Sequence, residues 1–148
     1  DRQIEEREGK RIDEIFTVKG EKYFRKLESE VLKTAALNGG HVVATGGGAP
    51  IIRSNRDLMV RTGLVIRLTA TPEEIHKRIS ANNTKINQPI RPILGQNISI
   101  KKIKDMIIER EPAYAFSEYI IDTSGKDTST VANTLATLCN EWKTSNEQ

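Results

Sequence analysis

The chain has 148 residues, 36% of them apolar, 29% charged and only 5% aromatic, with a formal net charge of +3. That size and apolar content suit one compact domain with a core of Ile, Leu, Val and Ala. No apolar run approaches the roughly 20 residues of a membrane span, and the charged start lacks the apolar region of a secretory signal. Basic residues alternate with acids (Arg2, Glu5, Glu6, Arg7, Glu8). They form no basic stripe with stacking rings, so a nucleic-acid surface is not expected. The single cysteine, Cys139, has no internal partner; it reads as an inert thiol in a reducing cytosol. Small anionic molecules remain as partners.

Residues 1–16 carry Ile4, Ile12, Ile15 and Phe16 in a charged background, a helical pattern with Gly9 as its break. Glu21 to Leu37 predicts a helix, with Phe24, Leu27, Val31 and Ala35 at helical spacing. Asn38-Gly39-Gly40 ends it with residues that tolerate positive φ. His41 to Thr45 predicts a short buried strand running into Gly46-Gly47-Gly48, and Leu64 to Leu68 a second strand. Thr71-Pro72-Glu73-Glu74 predicts a helix start, with Thr71 as N-cap and Glu74 completing a capping box. Residues 82–97 are polar and broken by Pro89, Pro92 and Gly95, the composition of a mobile lid loop. Ile98 to Glu111 predicts a helix, Tyr119 to Ile121 a third strand and Thr128 to Trp142 a closing helix. Strands alternating with helices imply parallel pairing and a layered α/β fold with helices on both faces. Such sheets usually have four or more strands, so a further strand is expected upstream of Asp1.

Four segments could carry chemistry. Gly46-Gly47-Gly48 closes a predicted strand, where glycine lets backbone N–H groups approach a ligand and where open α/β sheets bind theirs. A plain tight turn would read the same way. Gly20-Glu21-x-x-Phe24-Arg25 is a helix start whose arginine could equally be a solvated surface residue. Arg91, between Pro89 and Pro92, could carry a cation onto a phosphate from a lid, or lie in an ordinary surface loop. Arg110, in Arg110-Glu111-Pro112-x-Tyr114, could bind an anion or merely complement a helix dipole.

The order of these segments is more specific than any one of them. GExxFR, a strand ending GGG, an Arg-Pro lid and a helix ending ER-x-P-x-Y resemble the shikimate kinase family, from Asp1 through Asp122. The resemblance implies a parallel sheet of five strands between helices, in the style of the P-loop nucleoside-monophosphate kinases. It implies transfer of the ATP γ-phosphate to the 3-hydroxyl of shikimate, on the route to aromatic amino acids, in a cytoplasmic monomer. Asp1, followed by Ile4-Glu5, matches the second aspartate of the family's Asp-x-Asp-x-x-Ile-Glu segment, implying an acceptor that polarises the attacking hydroxyl. Arg25 and Arg110 match the pair holding the shikimate carboxylate. Gly47 and Gly48 match the backbone closing over the substrate, and Phe16, Phe24 and Glu28 the residues that shape or brace its pocket. Arg91 matches the lid arginine on the transferring phosphoryl group. Arg78 and Lys126 fall where the family flanks adenine, Lys126 replacing a frequent arginine.

The chain also departs from the family pattern. It contains no G-x-x-x-x-G-K-[ST] sequence, so the phosphate cradle and the Mg²⁺-binding hydroxyl are expected upstream of Asp1, with the first aspartate of the pair and a central strand. On this reading the chain is a fragment, inactive by itself. Two alternatives stand beside it: a shikimate-kinase-like binding module without catalysis, and a related kinase acting on another small acid or sugar such as gluconate.

Overall fold

The computed structural model describes residues 1–83 and 98–146. Helix α1 (Arg2–Glu8) starts on the Asp1 carbonyl, which accepts from the Ile4 and Glu5 amides. It ends at Gly9, whose φ of 63° is left-handed and whose amide donates back to Glu5. Helix α2 (Ile12–Asn38) is broken at Gly20, where φ 78° and ψ 169° define backbone that other residues rarely adopt. This break is why the predicted helix begins at Glu21. The Glu5 carboxylate accepts the Ile12 amide at 3.0 Å and ties α1 to α2.

The first core grows from these joints. Ile4, Ile12, Ile15, Phe24 and Leu27 are buried together, with Phe16, Tyr23 and Val31 packed against them. Each such side chain removed from water contributes about 1.5–3 kcal/mol, so this cluster fixes α1 on both limbs of α2. Leu32 of α2 is also buried, a position absent from the predicted apolar face.

A 3₁₀ turn at Ala49–Ile51 leads into α3 (Arg53–Thr62), a helix not predicted from the sequence. Strand β1 (Ile66–Thr69) pairs in parallel with β2 (Tyr119–Asp122), Ile66 opposite Tyr119 and Thr69 opposite Asp122. The predicted parallel α/β arrangement therefore holds for these two strands. Residues 41–45 correct it: they form no strand, and among the described residues no backbone supplies ladder bonds to them. Val42 is 99% exposed, so β propensity alone does not make a strand where no neighbour pairs with it.

Helix α4 (Pro72–Asn83) has the predicted N-cap: the Glu74 amide donates to Thr71 Oγ1 at 3.2 Å. The capping box is not completed. Glu74 Oε1 instead accepts from Arg78 Nε at 2.8 Å, and the Thr71 amide donates to Ser124 Oγ at 2.9 Å. Helix α4 also runs through residues 82 and 83, which were expected in the lid; the rest of that loop lies outside the described residues. Helix α5 (Ile100–Tyr114), N-capped by Ser99, packs on α4 through Ile79, Ile98 and Ile103. Helix α6 (Thr128–Asn146) closes the described chain.

Candidate active site

The glycine segment is held in place by the residues C-terminal to it. Ala49 and Pro50 are buried, and α3 anchors their carbonyls. Buried Asn55 Nδ2 donates to Ala49 O at 3.1 Å, and Arg56 Nη1 to Pro50 O at 2.7 Å. Gly46 has φ 67°, in the left-handed region. Gly48 is different: φ −94° and ψ −32° suit any residue. What it lacks is room, because a Cβ there would collide with the Arg25 guanidinium.

Arg25 is placed by its own helix. Nη1 donates to Glu28 Oε2 at 2.7 Å, while Nε and Nη2 donate to Glu21 Oε1 at 3.2 and 3.1 Å. Its side chain is 17% exposed and that of Glu28 11%. Burial works to lower the Arg25 pKa and is outweighed by Glu28 and then Glu21, so the net direction is upward. A guanidinium has five N–H donors; three are engaged, leaving one each on Nη1 and Nη2 for an anion. Phe24, beneath the guanidinium at 5.4 Å, meets Phe16 with ring centroids 4.6 Å apart.

Arg110 approaches the next glycine. Its Nη1 lies 3.3 Å from where a Gly47 Cβ would stand, with Tyr114 Oη at 3.0 Å from the same point. Tyr114 Oη donates to the Gly47 carbonyl at 2.6 Å. Among the described residues the Arg110 guanidinium has no hydrogen bond or ion pair. Two guanidiniums from distant helices thus meet adjacent glycines, one braced by carboxylates and one unpaired. That arrangement suits a planar carboxylate. An open groove of about 810 Å³ beside it shares Arg25 and adds Lys19, Lys22, Lys26, Lys33 and Glu30, with Lys19 paired to Glu8 and Lys26 to Glu30.

Other candidates lie elsewhere. Arg78 Nη1 and Nη2 donate to Thr123 Oγ1 and O at 2.9 and 2.7 Å, at the carboxyl end of β2. The Lys126 amide donates to Thr123 O at 3.2 Å in the same turn. Asp122 is held below the ordinary carboxylate range, first by the Ser124 amide and hydroxyl and then by the charges of Lys126 and Arg78. Asp1 is exposed, and its carboxylate has no hydrogen bond or ion pair among the described residues. Arg91 lies outside them. Among the described residues no group of three or more His, Cys, Asp or Glu side chains could hold a metal ion.

The model of the shikimate kinase family matches residues 1–140. The chain belongs to that family of ATP-dependent phosphotransferases. The shikimate kinase of Geobacter sulfurreducens is 40% identical over 138 residues, covering 93% of this chain and 73% of that one. The shikimate kinase of Caldanaerobacter subterraneus is 39% identical over 132 residues, covering 89% and 74%. Among solved structures, the shikimate kinase of Acinetobacter baumannii in complex with shikimate has a TM-score of 0.83 at 29% identity, covering 97% of this chain and 77% of that one. The Bacteroides thetaiotaomicron enzyme gives 0.75 at 32%, covering 97% and 81%. The P-loop kinase fold of these shikimate kinases accords with the parallel pairing of β1 and β2.

Arg67 was not among the candidates drawn from the sequence. On β1, it donates through Nη1 and Nη2 to the two Glu111 oxygens at 2.8 and 2.5 Å and lies 5.2 Å from the Tyr114 ring centroid. An arginine inside the apolar run Leu64-Val65-Ile66-Arg67-Leu68 was the available signal.

Proposed function

We propose that the enzyme to which this chain belongs phosphorylates the 3-hydroxyl of shikimate with ATP, as a cytoplasmic monomer on the route to aromatic amino acids, using a G-x-x-x-x-G-K-[ST] phosphate cradle that these 148 residues do not contain. The observation that carries the substrate is the meeting of Arg25 and Arg110 at Gly48 and Gly47. Arg110 and the two free Arg25 donors hold the carboxylate, and Glu28 keeps the Arg25 fork in place. The glycines let the substrate ring approach the backbone, over a floor shaped by Phe24 and Phe16. The Asp1 carboxylate accepts from the ring hydroxyls and polarises the 3-hydroxyl. The hydroxyl oxygen then bonds to the γ-phosphorus as the bond from that phosphorus to the β–γ bridging oxygen breaks; the hydroxyl proton passes to the Asp1 carboxylate, and ADP leaves with the electron pair of the broken bond. Arg91, assigned from sequence alone, stabilises the charge on the transferring group. Arg78 and Lys126 flank adenine on the same single domain. Mg²⁺ bound with the ATP phosphates would supply charge neutralisation there.

The test is ATP-dependent phosphate transfer to shikimate by the enzyme with its phosphate cradle, followed by ³¹P NMR, with gluconate in parallel; residues 1–148 alone are expected to show no transfer. Shikimate 3-phosphate is the expected product. Transfer to gluconate alone would move the reading to a related kinase, and shikimate binding without transfer by the enzyme would move it to a binding module.

A further inference from the structure

We propose that Arg67 is a positioning residue, acting through Glu111 and Tyr114 to hold the glycine turn against Arg110. The proposal rests on the reading of Arg110 as a shikimate carboxylate ligand. Among the described residues Gly47 is tied from outside its own turn by one bond, the 2.6 Å hydrogen bond from Tyr114 Oη. Residues 41–45, on the N-terminal side of the turn, have no ladder partner among the described residues. Residues 49–51, on its C-terminal side, are already anchored by Asn55 and Arg56.

The end of α5 that carries Arg110 and Tyr114 is itself weakened by Pro112. Proline has no N–H to donate to the carbonyl four residues back, here Ile108, so the last turn is less well held. Arg67 compensates from the sheet. Its side chain is 14% exposed, and the guanidinium grips Glu111 through two parallel bonds. It also lies near the Tyr114 ring, where a cation is attracted by the π face. Glu111 and Tyr114 stand three apart on one helical face, and Arg110 lies beside Glu111. One side chain from β1 thus sets the azimuth of the helix end, the Tyr114 hydroxyl and, through it, the Gly47 carbonyl. A fork is needed for this; a point charge cannot fix orientation in the same way.

Glu111 is 55% exposed, and pairs at such positions contribute little to stability. The effect should therefore fall on substrate geometry. Arg67→Met and Tyr114→Phe are each expected to raise the shikimate KM and Kd by about tenfold, in line with the loss of orientation by a fraction of an ångström. The ATP KM should stay within about twofold and the Tm within a few degrees. Because both residues act on one path, the double variant should be no worse than either single one. Arg67→Lys should recover only part of the affinity.

Arg110→Ala, measured alongside, separates the positioning role from the site assignment beneath it. Loss of shikimate binding in Arg110→Ala with parental binding in Arg67→Met and Tyr114→Phe would overturn the positioning role alone. Parental binding in Arg110→Ala would overturn the site reading and the proposal with it. A parallel rise in shikimate and ATP KM with a lowered Tm would reduce Arg67 to a purely structural pair. Tyr114→Phe, which keeps the ring and its packing, provides the answer if Arg67→Met does not fold.

Discussion

Gly48→Ala isolates the close approach on which the substrate reading depends. The backbone at Gly48 lies in the ordinary helical region, so alanine brings no conformational strain; in the unfolded chain it would even favour folding by about 0.4–1 kcal/mol. The whole penalty is steric. The new Cβ falls on the Arg25 guanidinium, and carbon and nitrogen need about 3.5 Å between them, so one of them must move by on the order of 1–2 Å. The glycine side is the stiffer, because the next residues are buried and their carbonyls are bonded to Asn55 and Arg56. Arg25 therefore yields, and its 2.7 Å bond to Glu28 cannot lengthen by that much and persist.

A misplacement of about 1 Å in a substrate-positioning group costs about 10²-fold, or about 2.7 kcal/mol in binding. Calorimetric titration of Gly48→Ala with shikimate should show that rise in Kd, and titration with a non-hydrolysable ATP analogue should show none. The double variant Gly48→Ala/Arg25→Ala should bind no worse than Arg25→Ala, because the Cβ then has room. Parental affinity in Gly48→Ala, or a double variant much weaker than Arg25→Ala, would mean that the Gly48–Arg25 approach does not govern shikimate binding.

Arg110→Ala should weaken shikimate binding by about 2–5 kcal/mol with ATP affinity unchanged; equal losses for both ligands in titration would take Arg110 off the carboxylate. Arg91→Ala should lower kcat by about 10²-fold or more with little change in shikimate Kd, and normal turnover in steady-state assays would remove it from the phosphoryl group. Asp127 caps α6, and its pKa is lowered to about 2 by hydrogen bonds from the Ser129 hydroxyl and the Thr130 amide and hydroxyl. A lowered folded-state value means that this contribution is complete above the unfolded value of about 3.9 and is lost as pH falls through about 2. The Thr130 amide resonance should therefore titrate near the lower value in the parent and not at all in Asp127→Asn; a midpoint near 4 would contradict the cap.

Local features of the fold were legible because their causes are local. Gly9 and Gly39 take left-handed φ where the sequence calls for helix ends, and Thr71 caps α4 from within four residues. The missed elements depend on neighbours. His41 to Thr45 has strand-forming residues but no strand beside it among the described residues. Helix α3 was passed over because its buried residue is Asn55, whose burial is permitted only by its bond to the Ala49 carbonyl. Periodicity of apolar residues cannot report such a helix. The capping box fails partly for the same reason: Ser124, far along the chain, takes the Thr71 amide, while Arg78, four residues on in the same helix, takes Glu74.

The two site arginines show where the boundary falls. Arg25 has Glu21 four residues before it and Glu28 three after, spacings that place both carboxylates on its helical face; the structure pairs it with both. Arg110 has Met106, Ile107, Ala113 and Tyr114 at the equivalent offsets, and none can neutralise it. Its unpaired charge was thus implicit in the sequence of α5, although its meeting with Gly47 was not. An arginine without an acidic neighbour on its own helix is neutralised by solvent, by a distant side chain or by a ligand. Half-buried beside a glycine backbone, with no acidic partner among the described residues, Arg110 has lost part of its solvent and gained no internal counter-ion. On the proposed reading, the charge that restores the balance is that of an incoming anion, shared with the two N–H donors that Arg25 leaves unused among the described residues.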